Sequence, residues 1–328
     1  MMHIQLFCKG YYLVSLFRYV VLFSILLVLS ASLHAENAPL RVFVSVIPQQ
    51  YFAQQVGGEL IVAEAMVQPG FSPATYELTG KQIARLAKAD VYVRVGVPFE
   101  NAWMKQIRAA NQSMLLLDAR ECLEPHVMEA HTPADEEATT HHSEHEHAAD
   151  EVEHAEHEHK HENELDPHIW TSPHITKQMA AQLRDVFSQL RPEHTEQFAA
   201  NYERFAAELD RLDTELQAFF AEHVDVKQFM VFHPAWGYFA NAYDLRQIPI
   251  EFEGKEPSAK ALAELINHAK AAKVKAIFVQ PQFSQRAAQQ LAKAIDGKVI
   301  AINPLARNYI ENLREVAHTI VGEESAKE

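Results

Sequence analysis

Ten of the chain's 19 histidines fall between His126 and His161. Most alternate with Glu and Asp, and the densest run, HHSEHEHAADEVEHAEHEHKH, extends from His141 to His161. His141, His142, His145, His147, His154, His157, His159 and His161 are candidate metal ligands there. Imidazoles interleaved with carboxylates suit borderline divalent cations such as zinc. The run has no apolar periodicity and almost no branched aliphatic residues, so burial cannot offset its ordering entropy. It is expected to be a flexible, metal-capturing tether. Two further histidines stand apart from it in better-patterned sequence. His168 lies in DPHIWTSP, where a strand-like segment meets a helix start. His233 lies in VFHPAWGYF, directly after an apolar strand. Ligands in α/β sheets bind beyond the carboxyl ends of strands, which is where His233 should sit. His174, His194, His268 and His318 fall on expected helices and read as surface or capping residues.

The elements that must hold these side chains alternate. Short apolar runs Leu40–Pro48, Ile61–Val67, Val91–Val95 and Met114–Leu117 are separated by helical stretches around Tyr51–Val56, Lys81–Lys88 and Glu100–Ala109. Thr79 is placed to cap the second of these helices. The pattern repeats after residue 224, with strands ending in MVFHP, KAIFVQP and KVIAINP. Helices are expected over Ala235–Ala242, from Ser258 to Lys270, and over Arg286–Ile295. Apolar runs alternating with helices imply parallel sheets covered by helices. Between the halves, Pro173 opens a helix to about Leu190 and Pro192 opens a longer one. Phe198, Tyr202, Phe205, Leu209, Leu212, Leu216 and Phe219 recur there at three- and four-residue spacing. The fold class is therefore α/β: two similar lobes joined by a long bridging helix. The boundaries expected are a leader over 1–35, a first lobe over 36–190 that includes the His-rich loop 126–165, the bridging helix over 191–223, and a second lobe over 224–328.

The leader has basic residues Lys9 and Arg18, the apolar run Tyr19–Leu29, and the small-residue stretch ASLHA ending at Ala35. That implies export and cleavage, and a periplasmic mature chain. Cys8 precedes the apolar run, so no lipidated cysteine would remain, and Cys122 alone cannot form an internal disulfide. With 29 basic and 44 acidic side chains, the formal charge of −15 argues against nucleic acid as a partner and favours cations.

Taken together, DPHIWTSP, VFHPAWGYFANAYDL, EGKEPSAKALAELI, FVQPQFS and the His-rich insert resemble the periplasmic zinc- or manganese-binding components of ABC-type metal importers. The resemblance covers the whole mature chain, with the motifs in the family's order. It implies two α/β lobes joined by a long rigid helix, a metal held in the interlobe cleft by three histidines and an acid, and delivery to an importer permease by a monomeric, non-enzymatic protein. His168 and His233 match the second and third histidine motifs. The other two positions differ: SPATYEL puts Ala74 at the first, and NPLA puts Asn303 where the family has its acid. Asn303 is thus a candidate amide-oxygen ligand, and Glu77, Glu253, water or a tether imidazole are other candidates to complete the site. A His-dominated set leans to zinc over manganese. An exported zinc buffer or chaperone, or a zinc hydrolase, is the alternative reading. A hydrolase would need an open metal position and a general base. The sequence contains no GxSxG, and its one HExxH match, HEHKH from His157 to His161, lies in the run that has no apolar periodicity.

Overall fold

The structure, a computed structural model, describes residues 38–121, 123, 165–251, 255–283 and 285–322. The expected leader, Cys122, Glu253 and all the named histidines of the tether lie outside those residues.

The first lobe runs β1 (Leu40–Val44), α1 (Ile47–Gly57), β2 (Ile61–Ala65), α2 (Gly80–Leu86), β3 (Val91–Arg94), α3 (Pro98–Ala110) and β4 (Leu115–Asp118). Its sheet has the order β2-β1-β3-β4, with β1 parallel to β3 and β3 parallel to β4. The second lobe contributes β5 (Gln228–Val231), α6 (Gly237–Ala242), β6 (Arg246–Pro249), α7 (Ala259–Ala271), β7 (Ala276–Val279), α8 (Arg286–Ala294), β8 (Lys298–Ala301) and α9 (Tyr309–Val321). Its sheet order is β6-β5-β7-β8, all parallel. The strands read as near-continuous apolar runs because helices cover both faces. Val42, Val44, Val91, Val93, Met230, Val231, Ile277 and Val279 are all buried. Thr79 caps α2, accepting from the Gln82 N–H, and Ser258 caps α7, accepting from the Ala261 N–H.

Between the sheets lie α4 (Pro173–Leu190) and α5 (Thr195–Glu222). Phe187 meets Phe198, Arg184 lies over Tyr202, and Lys177 pairs with Asp210, so the two helices run antiparallel. At about 1.5 Å per residue, the 28 residues of α5 extend roughly 42 Å. Its amino-terminal half grips the first lobe: Phe205 packs edge-on to Tyr51, and Asn201 donates to the Val56 carbonyl at 3.0 Å. Its carboxyl-terminal half grips the second. Phe220 stacks on Tyr243, the Tyr243 hydroxyl donates to Asp213 at 3.0 Å, and Glu215 pairs with Arg314. Among the described residues no helix is long and apolar enough to cross a membrane.

Three elements depart from expectation. DPHIWTSP is not strand-like: Asp166–His168 form an irregular turn and Ile169–Thr171 a single 3-10 turn. The Asp166 carboxylate accepts from the His168 backbone N–H at 2.9 Å and closes the turn locally. The strand β6 and the helix α9 are additions to the elements expected.

Candidate metal centre

Three adjacent parallel strands of the second lobe each deliver one polar side chain at their carboxyl ends. Glu251 follows β6, His233 follows β5, and Gln280 follows β7. Gln280, fully buried, brackets the His233 backbone: its amide oxygen accepts from the His233 N–H at 3.2 Å and its nitrogen donates to the His233 carbonyl at 2.7 Å. Gln247 holds the next turn in the same way, accepting from the Trp236 N–H at 3.0 Å. The main chain carrying His233 is thus fixed by amides on both sides.

His168 and His233 meet. His168 Nε2 and His233 Nε2 lie 3.3 Å apart. Each ring is held from behind by a buried carboxylate: His168 Nδ1 lies 2.7 Å from Asp166 Oδ1, and His233 Nδ1 lies 2.5 Å from Glu251 Oε1. Asp166 and Glu251 are only 3% and 4% exposed. A carboxylate against Nδ1 keeps the proton there and leaves Nε2 with its lone pair outward. Two such lone pairs facing one another repel unless a cation lies between them. Nitrogens about 2.0–2.1 Å from a tetrahedral zinc would be about 3.3–3.4 Å apart, which matches the observed separation. Burial lowers the His233 pKa below the ordinary imidazole value, against the opposing Glu251 hydrogen bond; the His168 imidazole adds to the lowering. The ring is therefore neutral and ligand-ready at neutral pH. Aromatic walls restrict both rings: Phe283 stacks on His233 at 4.7 Å, and Trp170 packs edge-on to His168 at 5.3 Å. Trp170 also donates to the Pro304 carbonyl at 2.8 Å.

Backbone proximity matters at one glycine. A Cβ on Gly237, the first residue of α6, would lie 2.6 Å from Asp166 Oδ2. The carboxylate that orients His168 can approach this helix only because residue 237 has no side chain.

The imidazoles open into a cavity of about 50 Å³ that is also lined by Ser72, Ala74, Val97, Pro98, Gln282 and Leu305. Ala74 also lines this cavity and offers no donor side chain. Asn303 does not line that cavity. It lines the neighbouring cavity of about 480 Å³, which shares Gln282 and Leu305 with the first, and its Oδ1 accepts from the Leu305 N–H at 3.0 Å and from Gln282 Nε2 at 3.2 Å. Glu77 is exposed on the loop before α2 and does not line the cavity. Among the described residues there is no cluster of three or more His, Cys, Asp or Glu that could hold a metal. Sequence reasoning missed Asp166 and Glu251. For Asp166 a signal existed, since Asp two residues before His is an Asx-turn spacing.

The comparisons agree with this architecture. The sequence matches the family described as zinc-uptake complex component A, periplasmic, over residues 42–323. The chain belongs to that family. Within this zinc-uptake family it is 27% identical over 278 residues to the high-affinity zinc uptake system protein ZnuA of Yersinia pestis, covering 83% of this chain and 85% of that one. It is 27% identical over 298 residues to the zinc-binding lipoprotein AdcA of Streptococcus pneumoniae, but spans only 53% of that longer protein. A crystal structure of ZnuA has a TM-score of 0.75 and 34% identity, covering 88% of this chain and 100% of that chain. A ZnuA deletion mutant with zinc bound has a TM-score of 0.74 at the same identity and coverage.

Proposed function

We propose that this chain captures zinc between its lobes in the periplasm and hands it to an ABC-type importer permease in the inner membrane. The observation that carries the reading is the pair of carboxylate-backed imidazoles with Nε2 atoms 3.3 Å apart, the edge length of a zinc tetrahedron. His168 and His233 are the ligands. Family membership and the zinc named for its relatives support the same cargo. Manganese favours more oxygen donors than this pair offers. The chain acts as a monomer after its leader is removed near Ala35. The His-rich tract raises the local zinc concentration for the ordered site, and His161 is only seven residues from His168.

Transport is favoured over hydrolysis by how the carboxylates are used. Asp166 and Glu251 each hold an imidazole Nδ1, the role of a carboxylate that orients a metal ligand.

The test is competition of the full chain against a strong chromophoric zinc chelator, with a parallel titration using manganese. One zinc per chain is expected to survive chelator concentrations that strip the His-rich tract, with manganese bound far more weakly. Failure to retain any zinc against the chelator would overturn the reading. A vesicle-reconstituted permease and ATPase then tests delivery: zinc uptake should require this chain.

A further inference from the structure

The side chain after β7 that lies closest in sequence to the metal cavity without an assigned role is Gln282, in the run Gln280–Pro281–Gln282. It lines both the small cavity of the imidazole pair and the larger neighbouring cavity. Its orientation follows from a chain of hydrogen bonds. The Leu305 backbone N–H can only donate, so the Asn303 atom facing it at 3.0 Å is the amide oxygen. That same Oδ1 lies 3.2 Å from the Gln282 amide, so Gln282 must present its NH₂ there. The other atom of the amide, Oε1, therefore faces away from Asn303. It is buried and has no hydrogen-bond partner among the described residues. A buried carbonyl oxygen without a donor is destabilising, and such atoms in native proteins call for a specific explanation.

We infer that Gln282 Oε1 is a third protein donor to the metal held by His168 and His233, and that Asn303 is the positioning residue that aims it. The inference rests on the zinc reading above. It gives the cavity a donor that neither Ala74 nor Asn303 supplies, on the same lobe as His233. A neutral amide oxygen is a weaker zinc donor than a carboxylate. The resulting set of two nitrogens and one oxygen leaves a fourth position for water, and so holds the ion firmly without enclosing it.

The experiment measures zinc affinity of the full chain by competition with a strong chromophoric chelator, and records the visible absorption of the cobalt(II)-loaded protein. Four variants are compared: Gln282→Leu, Gln282→Glu, Asn303→Leu and His168→Ala. Gln282→Leu should weaken zinc by about tenfold or more and alter the cobalt bands. Gln282→Glu should tighten zinc, and Asn303→Leu should weaken it by less than Gln282→Leu while also shifting the bands. If Gln282→Leu matches the parent in affinity and spectrum while His168→Ala abolishes binding, Gln282 is not a donor and the zinc site stands without it. If His168→Ala retains parental affinity, the zinc reading itself fails, and this inference with it. Should Gln282→Leu be unfolded without metal, Gln282→Glu decides: tighter binding supports the assignment, and equal or weaker binding overturns it.

Discussion

The two walls of the metal cavity are built alike, from loops at the carboxyl ends of parallel strands, yet they differ in what they present. The second-lobe wall carries His233, backed by Glu251 and bracketed by Gln280. The first-lobe wall presents Ser72, Ala74, Val97 and Pro98. That wall is no less firmly made. Glu100, fully buried, accepts from the Val95 and Gly96 N–H groups at 2.9 Å each and from Ser45 Oγ at 2.5 Å, which holds the loop leading to Val97. The Phe99 N–H donates to the Pro73 carbonyl and ties the Ala74 segment to the same helix start. The difference shows that positioning and ligation are separable. The loops after β2 and β3 have ordered backbone and offer no imidazole or carboxylate; the segments carrying His168 and His233 have ordered backbone and donors with oriented lone pairs.

The comparison can be broken most directly at the donor wall. His168→Ala or His233→Ala should nearly abolish chelator-resistant zinc binding, because few other donors remain to compensate. Next in size are the supporting carboxylates. Asp166→Asn and Glu251→Gln should each weaken zinc by about 10–100-fold while leaving the fold intact, as read by chelator competition and far-ultraviolet circular dichroism. The comparison is sharpened by giving the other wall a donor. Ala74→His should tighten zinc by roughly tenfold, about 1.4 kcal/mol, if the loop is as well placed as its hydrogen bonds indicate. No change in affinity would show that the first-lobe wall stands too far from the ion to ligate it.

A smaller effect concerns pH and the metal-free protein. The folded-state pKa of His233 is lowered, chiefly by burial. As pH falls through the ordinary imidazole value near 6.5, the unfolded chain takes up a proton that the folded chain refuses. Stability should therefore decline from that point until the pH reaches the lowered folded value, and level off below it. Thermal midpoints of metal-free parent and His233→Asn between pH 8 and pH 5 check this: the variant should lose less. The smallest effect is expected from the tether. Removing residues 136–162 should leave the metal-free thermal midpoint unchanged and reduce only the number of weakly held zinc ions.

Much of this was legible in the residues. Apolar runs such as LRVFV and AIFV read as buried parallel strands because both faces of each sheet are covered. The spacing of Phe205, Leu209, Leu212 and Leu216 marked a long helix because no glycine or proline interrupts it. The placement of His233 followed from the strand before it. Less accessible were features made by distant pairing. Glu251 orients His233 across 18 positions, and only the pairing of β5 with β6 brings them together. The carboxylates that the sequence offers as candidates are Glu77 and Glu253, the latter two residues past Glu251. Helix α9 carries a clear apolar face in Ile310, Leu313, Val316 and Ile320, and Asn308 with Glu311 three residues on marks its start, a signal the sequence reading passed over. Asn303 occupies the sequence position of an acidic ligand, yet its oxygen is taken by Leu305 and Gln282. A sequence position specifies where a side chain begins and leaves open where its donor atom ends.

Helix α5 has one further consequence. It is an uninterrupted strut, pinned to the first lobe through Asn201 and Phe205 and to the second through Asp213, Glu215 and Phe220. Without a break to bend at, it opposes the clamshell swing by which many two-lobed receptors swallow and surrender their ligands. Capture then requires little rearrangement, because the imidazoles already stand at bonding distance for an ion. Unloading is the demanding half of the cycle. Work to pull the lobes or their loops apart has to come from outside the receptor, when it docks on a membrane machine that spends ATP.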